Sequence, residues 1–148
     1  MEIERKFLIK TLPDNITSFP CLHIEQGYLN TNPVVRIRKQ NEDYVLTYKG
    51  KGMLAREEYN LPLNAKSYEH LKPKCDGNII SKKRYLIPFH DLTIELDIFD
   101  PPFAPLIMAE VEFDSLDAAE SFLPPDWFSE DVTHKPEYHN SYMSRQIF

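Results

Sequence analysis

The chain opens with Glu2-Ile3-Glu4-Arg5-Lys6, in which three charged side chains stand at every second position. Successive side chains of a β-strand point to opposite faces of the sheet. Glu2, Glu4 and Lys6 are therefore predicted to share one face. Ile3 lies on the opposite face, with the apolar side chains of the sheet.

The same spacing of charges recurs in later segments. It is found at Arg36/Arg38, Arg56/Glu58, Lys82/Arg84, Glu95/Asp97 and Glu110/Glu112. One such pair is typical of any half-buried strand whose polar side chains face water. Repetition along the chain instead predicts one sheet with a charged face and an apolar face.

The rest of the sequence predicts about eight antiparallel strands and two or three short helices. The predicted strands cover residues 1–10, 23–30, 34–39, 44–48, 56–63, 79–87, 93–99 and 108–114. Asn64 is the predicted cap of a helix that ends at Leu71, and Asp114 or Ser115 caps a second helix that runs to Leu123. A helical turn is expected near Asn140. This pattern favours a closed barrel or a two-sheet arrangement, because closure removes exposed strand edges.

Length and composition predict one soluble domain over residues 1–148. The net charge is −6, from 17 basic and 23 acidic residues. The spaced positions, with Lys6 and Lys49, hold equal numbers of cations and acids, so the negative excess belongs to the rest of the chain. Because a nucleic-acid-binding protein normally has a basic outer surface, no nucleic-acid partner is expected.

Several features predict a cytoplasmic protein with no membrane partner. Cys21 and Cys75 lack the spacing of a metal or redox site and are expected to be reduced thiols. The first residues are charged and are followed by no apolar signal segment. Since few helices are available to cover the apolar face of the sheet, a homodimer is a candidate assembly.

The charged face is divided by sign into two walls. One wall carries only cations at its spaced positions: Arg36, Arg38, Lys49, Lys82 and Arg84. The other carries only acids: Glu95, Asp97, Glu110 and Glu112. Arginine and lysine bind phosphate oxygens, whereas carboxylates are the hard ligands that Mg²⁺ or Mn²⁺ prefers. Together, the walls predict metal-assisted chemistry on a small phosphate compound.

The opening segment resembles the Glu-x-Glu-x-Lys signature of the CYTH superfamily, the triphosphate tunnel metalloenzymes. Further motifs of that family follow in order along nearly the whole chain. They are Gly27-Tyr-Leu29, Val35-Arg-Ile-Arg38, Leu46-Thr-Tyr-Lys49-Gly50, Arg56-Glu-Glu58, Lys82-Lys-Arg84-Tyr85, Glu95-Leu-Asp97 and Glu110-Val-Glu112. Compact single-domain bacterial members, which hydrolyse inorganic tripolyphosphate to pyrophosphate and phosphate, are the most similar.

This resemblance implies an eight-stranded antiparallel barrel whose interior binds a triphosphate with Mg²⁺ or Mn²⁺. The positions that match the family's metal-coordinating residues are Glu2, Glu4, Glu95, Asp97, Glu110 and Glu112. The positions that match its phosphate-binding residues are Lys6, Arg36, Arg38, Lys49, Arg56, Lys82 and Arg84. Lys6, Lys82 and Glu58 are the predicted catalytic residues, with the lysines stabilising charge or relaying a proton.

Three alternative functions stay open at this point. They are an adenylate cyclase, a thiamine triphosphatase that stacks an aromatic such as Trp127 on its substrate, and a module that binds polyphosphate without cleaving it. Two positions depart from the family pattern. Asn60 stands where many members have an acid, and Lys135 is the candidate for a basic residue that plugs the tunnel.

Overall fold

The computed structural model describes residues 1–148 and is mainly β. Its strands are β1 (Glu2–Ile9), β2 (Cys21–Thr31), β3 (Val34–Gln40), β4 (Asp43–Lys49), β5 (Ala55–Arg56), β6 (Glu58–Leu63), β7 (Asp76–Phe89), β8 (Leu92–Phe99), β9 (Ile107–Glu112) and β10 (Phe128–Asp131). Its α-helices are α1 (Ala65–Leu71), α2 (Leu116–Ser121) and α3 (Asn140–Met143). Short 3₁₀ turns cover Ile16–Ser18, Lys72–Lys74 and Pro136–Tyr138. The predicted mainly β, α+β fold is confirmed.

All strands join one antiparallel sheet in the order β10-β1-β9-β8-β7-β2-β3-β4-β6. The sheet curls until β1 meets β5, where Glu2 pairs with Arg56 and Ile3 with Ala55. This short seam is the only strand pairing across the gap, because Glu57 separates β5 from β6 and β6 pairs with β4 alone. The structure therefore has a curled sheet of ten strands, and it differs from the predicted eight-stranded closed barrel at this seam.

The register of the strands brings the spaced charges onto the inner face of the curl. Glu4 lies opposite Glu112, and Lys6 opposite Glu110. On the next strand, Glu95 also lies opposite Glu110. Because side chains alternate along each strand, these pairs all project into the same interior.

The apolar side chains of the same strands form the main core on the outer face. Phe7, Ile94 and Val111 are almost fully buried there, together with Ala119 of α2 and Phe122, the residue that follows this helix. Burial of these aromatic and branched side chains is the main source of stability for a sheet of this kind. The core therefore lies outside the curl, and the charged interior is left free for a ligand.

Both predicted helix caps are confirmed. The side chain of Asn64 accepts a hydrogen bond from the backbone of Ser67 at 2.7 Å, and that of Ser115 accepts one from Ala118 at 3.0 Å. The helical turn near Asn140 is also present, as α3. None of the helices has the length and apolar character needed to cross a membrane.

Two details of the local prediction are wrong. The second helix ends at Ser121 and does not reach Leu123, which is 82% exposed. Leu116 is 50% exposed, and the core contacts of this segment come from Ala119 in α2 and from Phe122 directly after it. The short strand β10 was not predicted, since a four-residue segment gives too little periodic signal.

Candidate active site in a charged central cavity

The curled sheet encloses a cavity of about 340 Å³, here called the central cavity. It is lined by 20 residues, of which only 3 are hydrophobic. Most of the predicted site residues line it: Glu2, Glu4, Lys6, Arg36, Arg38, Lys49, Arg56, Glu58, Arg84, Glu95, Glu110 and Glu112. Lys82 and Asp97 are the predicted site residues that do not. A cavity lined mainly by charged and polar side chains is suited to a small, highly charged ligand.

Three carboxylates on neighbouring strands converge in the central cavity. Glu4 on β1, Glu95 on β8 and Glu110 on β9 each offer an oxygen, and these oxygens all lie within 4.8 Å of one another. Oxygen ligands at this spacing fit a hard divalent cation. We call these three residues the carboxylate triad.

The members of the carboxylate triad differ in electrostatic environment. Burial raises the pKa of Glu110, but Lys6 and Arg84 outweigh that effect and hold it well below the usual value. Both cations contact the Glu110 carboxylate, Lys6 through a close ion pair and Arg84 at 2.9 Å. Burial and the neighbouring acids instead raise the pKa of Glu95, against the opposing effect of Arg84. A bound cation would relieve the crowding of negative charge at Glu95.

Lys6 is held between two members of the triad. It contacts Glu110 and lies 3.4 Å from Glu4. Burial alone would lower the pKa of Lys6, yet the two carboxylates raise it above its ordinary value. Lys6 is therefore a fixed ammonium group in this cavity.

Glu112 and Glu2 border the triad with contrasting partners. Glu2 accepts hydrogen bonds from Lys49 at 2.9 and 3.2 Å and lies 3.7 Å from Arg56. Glu112 has no cationic partner, and burial together with the nearby Glu2 and Glu4 raises its pKa to about 7. The acidic side of the cavity thus holds more negative charge than its own lysines and arginines balance.

Two arginines of the opposite wall have no acidic partner. Arg36 donates to Thr47 Oγ1 at 3.2 Å, and its buried Nε has no hydrogen-bond acceptor. Arg38 donates through Nε to Gln26 Oε1 at 2.8 Å. Burial, Arg36 and Arg84 lower the pKa of Arg38 to about 9, so the guanidinium is still charged at neutral pH. Buried cations without a counter-charge are costly unless an anion joins them.

Lys82 and Asp97 lie behind the cavity wall. The carboxylate of Asp97 receives two hydrogen bonds from Arg84, at 2.7 and 2.9 Å, and a third contact from Lys82 at 2.7 Å. Lys82 also donates to Asn140 at 3.2 Å, and burial lowers its pKa to about 8 despite the attraction of Asp97. This arrangement favours a supporting role for the pair. Direct metal binding by Asp97 and direct phosphate binding by Lys82 stay predictions.

Glu58 lines the central cavity, and so does Asn60, the residue that differs from the family pattern. The carboxylate of Glu58 lies 3.4 Å from Lys49 and accepts from Asn60 at 3.2 Å. Asn60 also accepts a hydrogen bond from the Thr47 hydroxyl at 2.6 Å. The same hydroxyl contacts Arg36. Asn60 therefore links the acidic Glu58 to the basic wall instead of adding another acid.

Lys135 and Trp127 do not reach the central cavity. Lys135 is exposed and pairs with Glu130 at 2.9 Å, so it does not plug the interior. Trp127 packs against the outer core around Phe128. Trp127, the aromatic residue considered for a thiamine triphosphatase, is thus absent from the cavity lining, in which Tyr28 is the one aromatic side chain.

Sequence analysis did not identify several polar residues of the site. Gln26 and Tyr28 line or support the cavity from β2, where they lie opposite Arg38 and Arg36, and this shared spacing of two residues is the signal that could have revealed them. Asn140 accepts hydrogen bonds from Lys82 and from Gln26 Nε2, both at 3.2 Å. Its position depends on how α3 packs under the sheet, so no local sequence pattern predicts Asn140 as a site residue.

Comparisons with known proteins agree with this geometry. Residues 1–124 match the CYTH domain family. An inorganic triphosphatase of Nitrosomonas europaea is 39% identical over 150 residues, which cover 99% of this chain and 98% of that protein. An inorganic triphosphatase of Acetivibrio thermocellus is 34% identical over 145 residues, with 95% and 90% covered. The crystal structure of an inorganic triphosphatase superposes with a TM-score of 0.74 at 37% identity, covering 99% of this chain and 96% of that one.

Proposed function

The chain belongs to the CYTH domain family, and on that basis we propose that it hydrolyses a phosphoanhydride bond of a linear triphosphate inside the central cavity. The substrate we propose is inorganic tripolyphosphate, because the relatives at 39% and 34% identity are inorganic triphosphatases. A water oxygen attacks a terminal phosphorus while the bond from that phosphorus to the bridging oxygen breaks. The products are orthophosphate and pyrophosphate.

One observation carries this proposal: the buried Arg36 and the half-buried Arg38 lack acidic partners in the same cavity as the carboxylate triad. The arginines provide a site for phosphate oxygens, and the triad provides one for a cation. Phosphoryl transfer requires little else of a protein, since catalysis depends on positioning and on stabilising negative charge.

The phosphate chain is bound, in this proposal, by the cations that line the central cavity. They are Lys6, Arg36, Arg38, Lys49, Arg56 and Arg84. Arginine can hold two phosphate oxygens at once, whereas lysine acts as a point charge. Lys82 and Asp97 fix the guanidinium of Arg84 from behind, which orients it toward the cavity.

The carboxylate triad would hold the divalent ion, for which we propose Mg²⁺ or Mn²⁺. Glu2 and Glu112 lie beside the triad and can contribute through water. When bound, such an ion neutralises phosphate charge and makes nearby water more acidic. Lys6, fixed between Glu4 and Glu110, adds a permanent positive charge next to the reacting group.

Glu58 and Glu112 are the carboxylates that can accept the proton of the attacking water. Both line the central cavity and neither belongs to the carboxylate triad. Glu58 lies beside Lys49, and Glu112 lies opposite Glu4. Both carboxylates are close to Glu2.

The test offers tripolyphosphate, ATP and thiamine triphosphate in turn, with Mg²⁺ or Mn²⁺, and assays orthophosphate, pyrophosphate and cyclic AMP separately. We expect tripolyphosphate to yield orthophosphate and pyrophosphate, and a chelator to stop the reaction. Cyclic AMP from ATP would instead identify a cyclase. Tight binding of tripolyphosphate with no metal-dependent release of phosphate would identify a binding module.

The finer predictions about partners and location stay predictions. We propose a cytoplasmic protein that forms a homodimer and binds neither nucleic acid nor membrane. Tyr59 and Leu61 on the outer face of β6 are 59% and 58% exposed, and a dimer would cover them. One sheet that extends from Glu2 to Asp131 supports the single-domain prediction for residues 1–148.

A further inference from the structure

A second cavity of about 350 Å³ adjoins the central cavity, and we call it the side cavity. It lies between the turn that joins β2 to β3, the loop after β4 and the segment that contains α3. Val34, Arg56 and Ser141 line both cavities. A ligand in the central cavity can therefore continue past Arg56 and Ser141 into the side cavity.

The lining of the side cavity is basic. Lys51, Arg56 and Arg145 contribute three cations, and none of its 14 lining residues is acidic. Lys51 and Arg145 form no ion pair, and the guanidinium of Arg145 lies 5.5 Å from the ring centroid of Tyr142. Cations without acidic partners, grouped around one concavity, give a positive potential that attracts anions.

The opposite end of the sheet has the opposite sign. The turn that joins β7 to β8 lies at that end, because Tyr28, near the end of β2, pairs with Asp76 at the start of β7. A cavity there is lined by Asp91, Asp114 and the shared residues Glu95 and Glu112, with no cation. An anion that is too long for the central cavity is thus attracted toward the side cavity and repelled from the acidic end.

We propose that the side cavity is a second phosphate subsite, which binds the units of a linear polyphosphate that extend beyond those held in the central cavity. Arg56 stands at the boundary and contacts the chain as it passes. Lys51 and Arg145, which form no ion pair, then bind the next phosphate groups through their positive charges. This subsite rests on the proposed function, since it assumes that the central cavity holds the first part of the same phosphate chain.

The test compares the binding of tripolyphosphate and hexapolyphosphate, by calorimetry in a chelator, for three proteins. They are the parent, the double variant K51E/R145E and the control K10E/K83E. The control makes the same change in net charge at exposed lysines outside both cavities. We expect the parent and the control to bind hexapolyphosphate about fivefold more tightly than tripolyphosphate, as two exposed charge contacts allow. The variant K51E/R145E should bind the two equally.

Two results would overturn the subsite. One is an equal loss of affinity for both ligands in K51E/R145E, which would indicate general attraction of anions. The other is an unchanged preference for the longer chain in K51E/R145E, or no preference in the parent, which would show that the side cavity does not contact the added phosphate units. Hydrolysis of tripolyphosphate is assayed separately with metal, so a failure of the proposed function leaves this metal-free comparison intact.

Discussion

The ammonium nitrogen of Lys82 lies 2.7 Å from Oδ2 of Asp97, and both side chains are fully shielded from solvent. The same carboxylate receives two hydrogen bonds from Arg84, whose other contacts reach Glu95 at 3.0 Å and Glu110 at 2.9 Å. Asp97 therefore joins a fully buried lysine to an arginine of the cavity wall. The position of Arg84 in the central cavity depends on this buried pair.

The substitution Lys82→Met tests the importance of the pair for stability. It keeps most of the side-chain volume but leaves Asp97 with Arg84 as its only cation, and loss of one partner of a buried ion pair costs about 3 kcal/mol. We expect a loss of about that size in the free energy of unfolding, measured with urea. Lys83→Met is the matched control, because Lys83 is exposed on the other face of β7 and should change stability by about 0.5 kcal/mol or less. Equal stability of the two variants would contradict this role.

Arg38→Gln should separate stability from binding. Arg38 lies near Arg36 and Arg84 with Gln26 as its hydrogen-bond partner, so removal of its charge relieves repulsion between cations. In buffer without phosphate we expect stability that is unchanged or higher by up to about 1 kcal/mol. The dissociation constant for tripolyphosphate should rise at least about tenfold, because charged hydrogen bonds are lost.

Arg5→Gln is the control for that experiment. Arg5 lies outside the cavity, pairs with Asp131 at 2.8 Å and donates to the carbonyl of Ala119 at 2.7 Å. Its substitution should lower stability by about 1 kcal/mol and leave tripolyphosphate affinity unchanged. A large loss of stability in Arg38→Gln would show that Arg38 is a structural residue, and unchanged affinity would show that it does not bind tripolyphosphate.

The charged interior was predictable because it follows from a local rule. Alternation with period two places Glu4 and Lys6 on one face wherever the strand lies, and an apolar neighbour such as Phe7 determines which face is buried. Caps such as Asn64 are equally local, since their hydrogen bond reaches only three residues along the chain.

Features that depend on distant packing could not be predicted in this way. Lys82 and Arg84 share one pattern in the sequence, yet only Arg84 reaches the cavity, because Asn140 and Asp97 cover Lys82. The second helix was predicted to run to Leu123, but it ends at Ser121, where the backbone of Phe122 becomes extended.

Glu95→Gln should weaken the binding of metal. A ligand that binds only the folded protein stabilises it by about 2.7 kcal/mol at a concentration 100 times its dissociation constant. We expect Mg²⁺ or Mn²⁺ to raise the midpoint of thermal unfolding of the parent protein. Glu95→Gln should need at least about tenfold more metal for the same rise, since loss of even an indirect partner costs about that much.

The matched control for the metal experiment is Glu120→Gln. Glu120 is an exposed acid on α2, outside the central cavity, and the variant has the same net charge as Glu95→Gln. Its metal titration should follow that of the parent. If both variants shift equally, the stabilisation reflects general screening of the negative charge and not the carboxylate triad.

His139 should make stability depend on pH through the segment that carries α3. Its Nε2 lies 2.8 Å from the carbonyl oxygen of Thr133, which can only accept, so this nitrogen carries the proton. Burial, Lys6 and Arg56 lower the pKa of His139 below 6.5, with only partial compensation from Thr133 and Glu110. The unfolded chain therefore binds a proton more readily than the folded protein. Stability contributed by the neutral ring is complete above about pH 6.5 and is lost as the pH falls below that value.

His139→Gln removes this titration and keeps a hydrogen-bond donor near Thr133. Urea unfolding at a series of pH values should show the parent more stable than the variant near pH 7, with the difference shrinking as the pH falls below about 6.5. His70→Gln, at an exposed position of α1, should show no such change. A difference between parent and His139→Gln that stays constant with pH would contradict the assignment. Because Asn140 follows His139 directly and contacts Lys82, charging of this ring would loosen the contact that covers the buried Lys82–Asp97 pair.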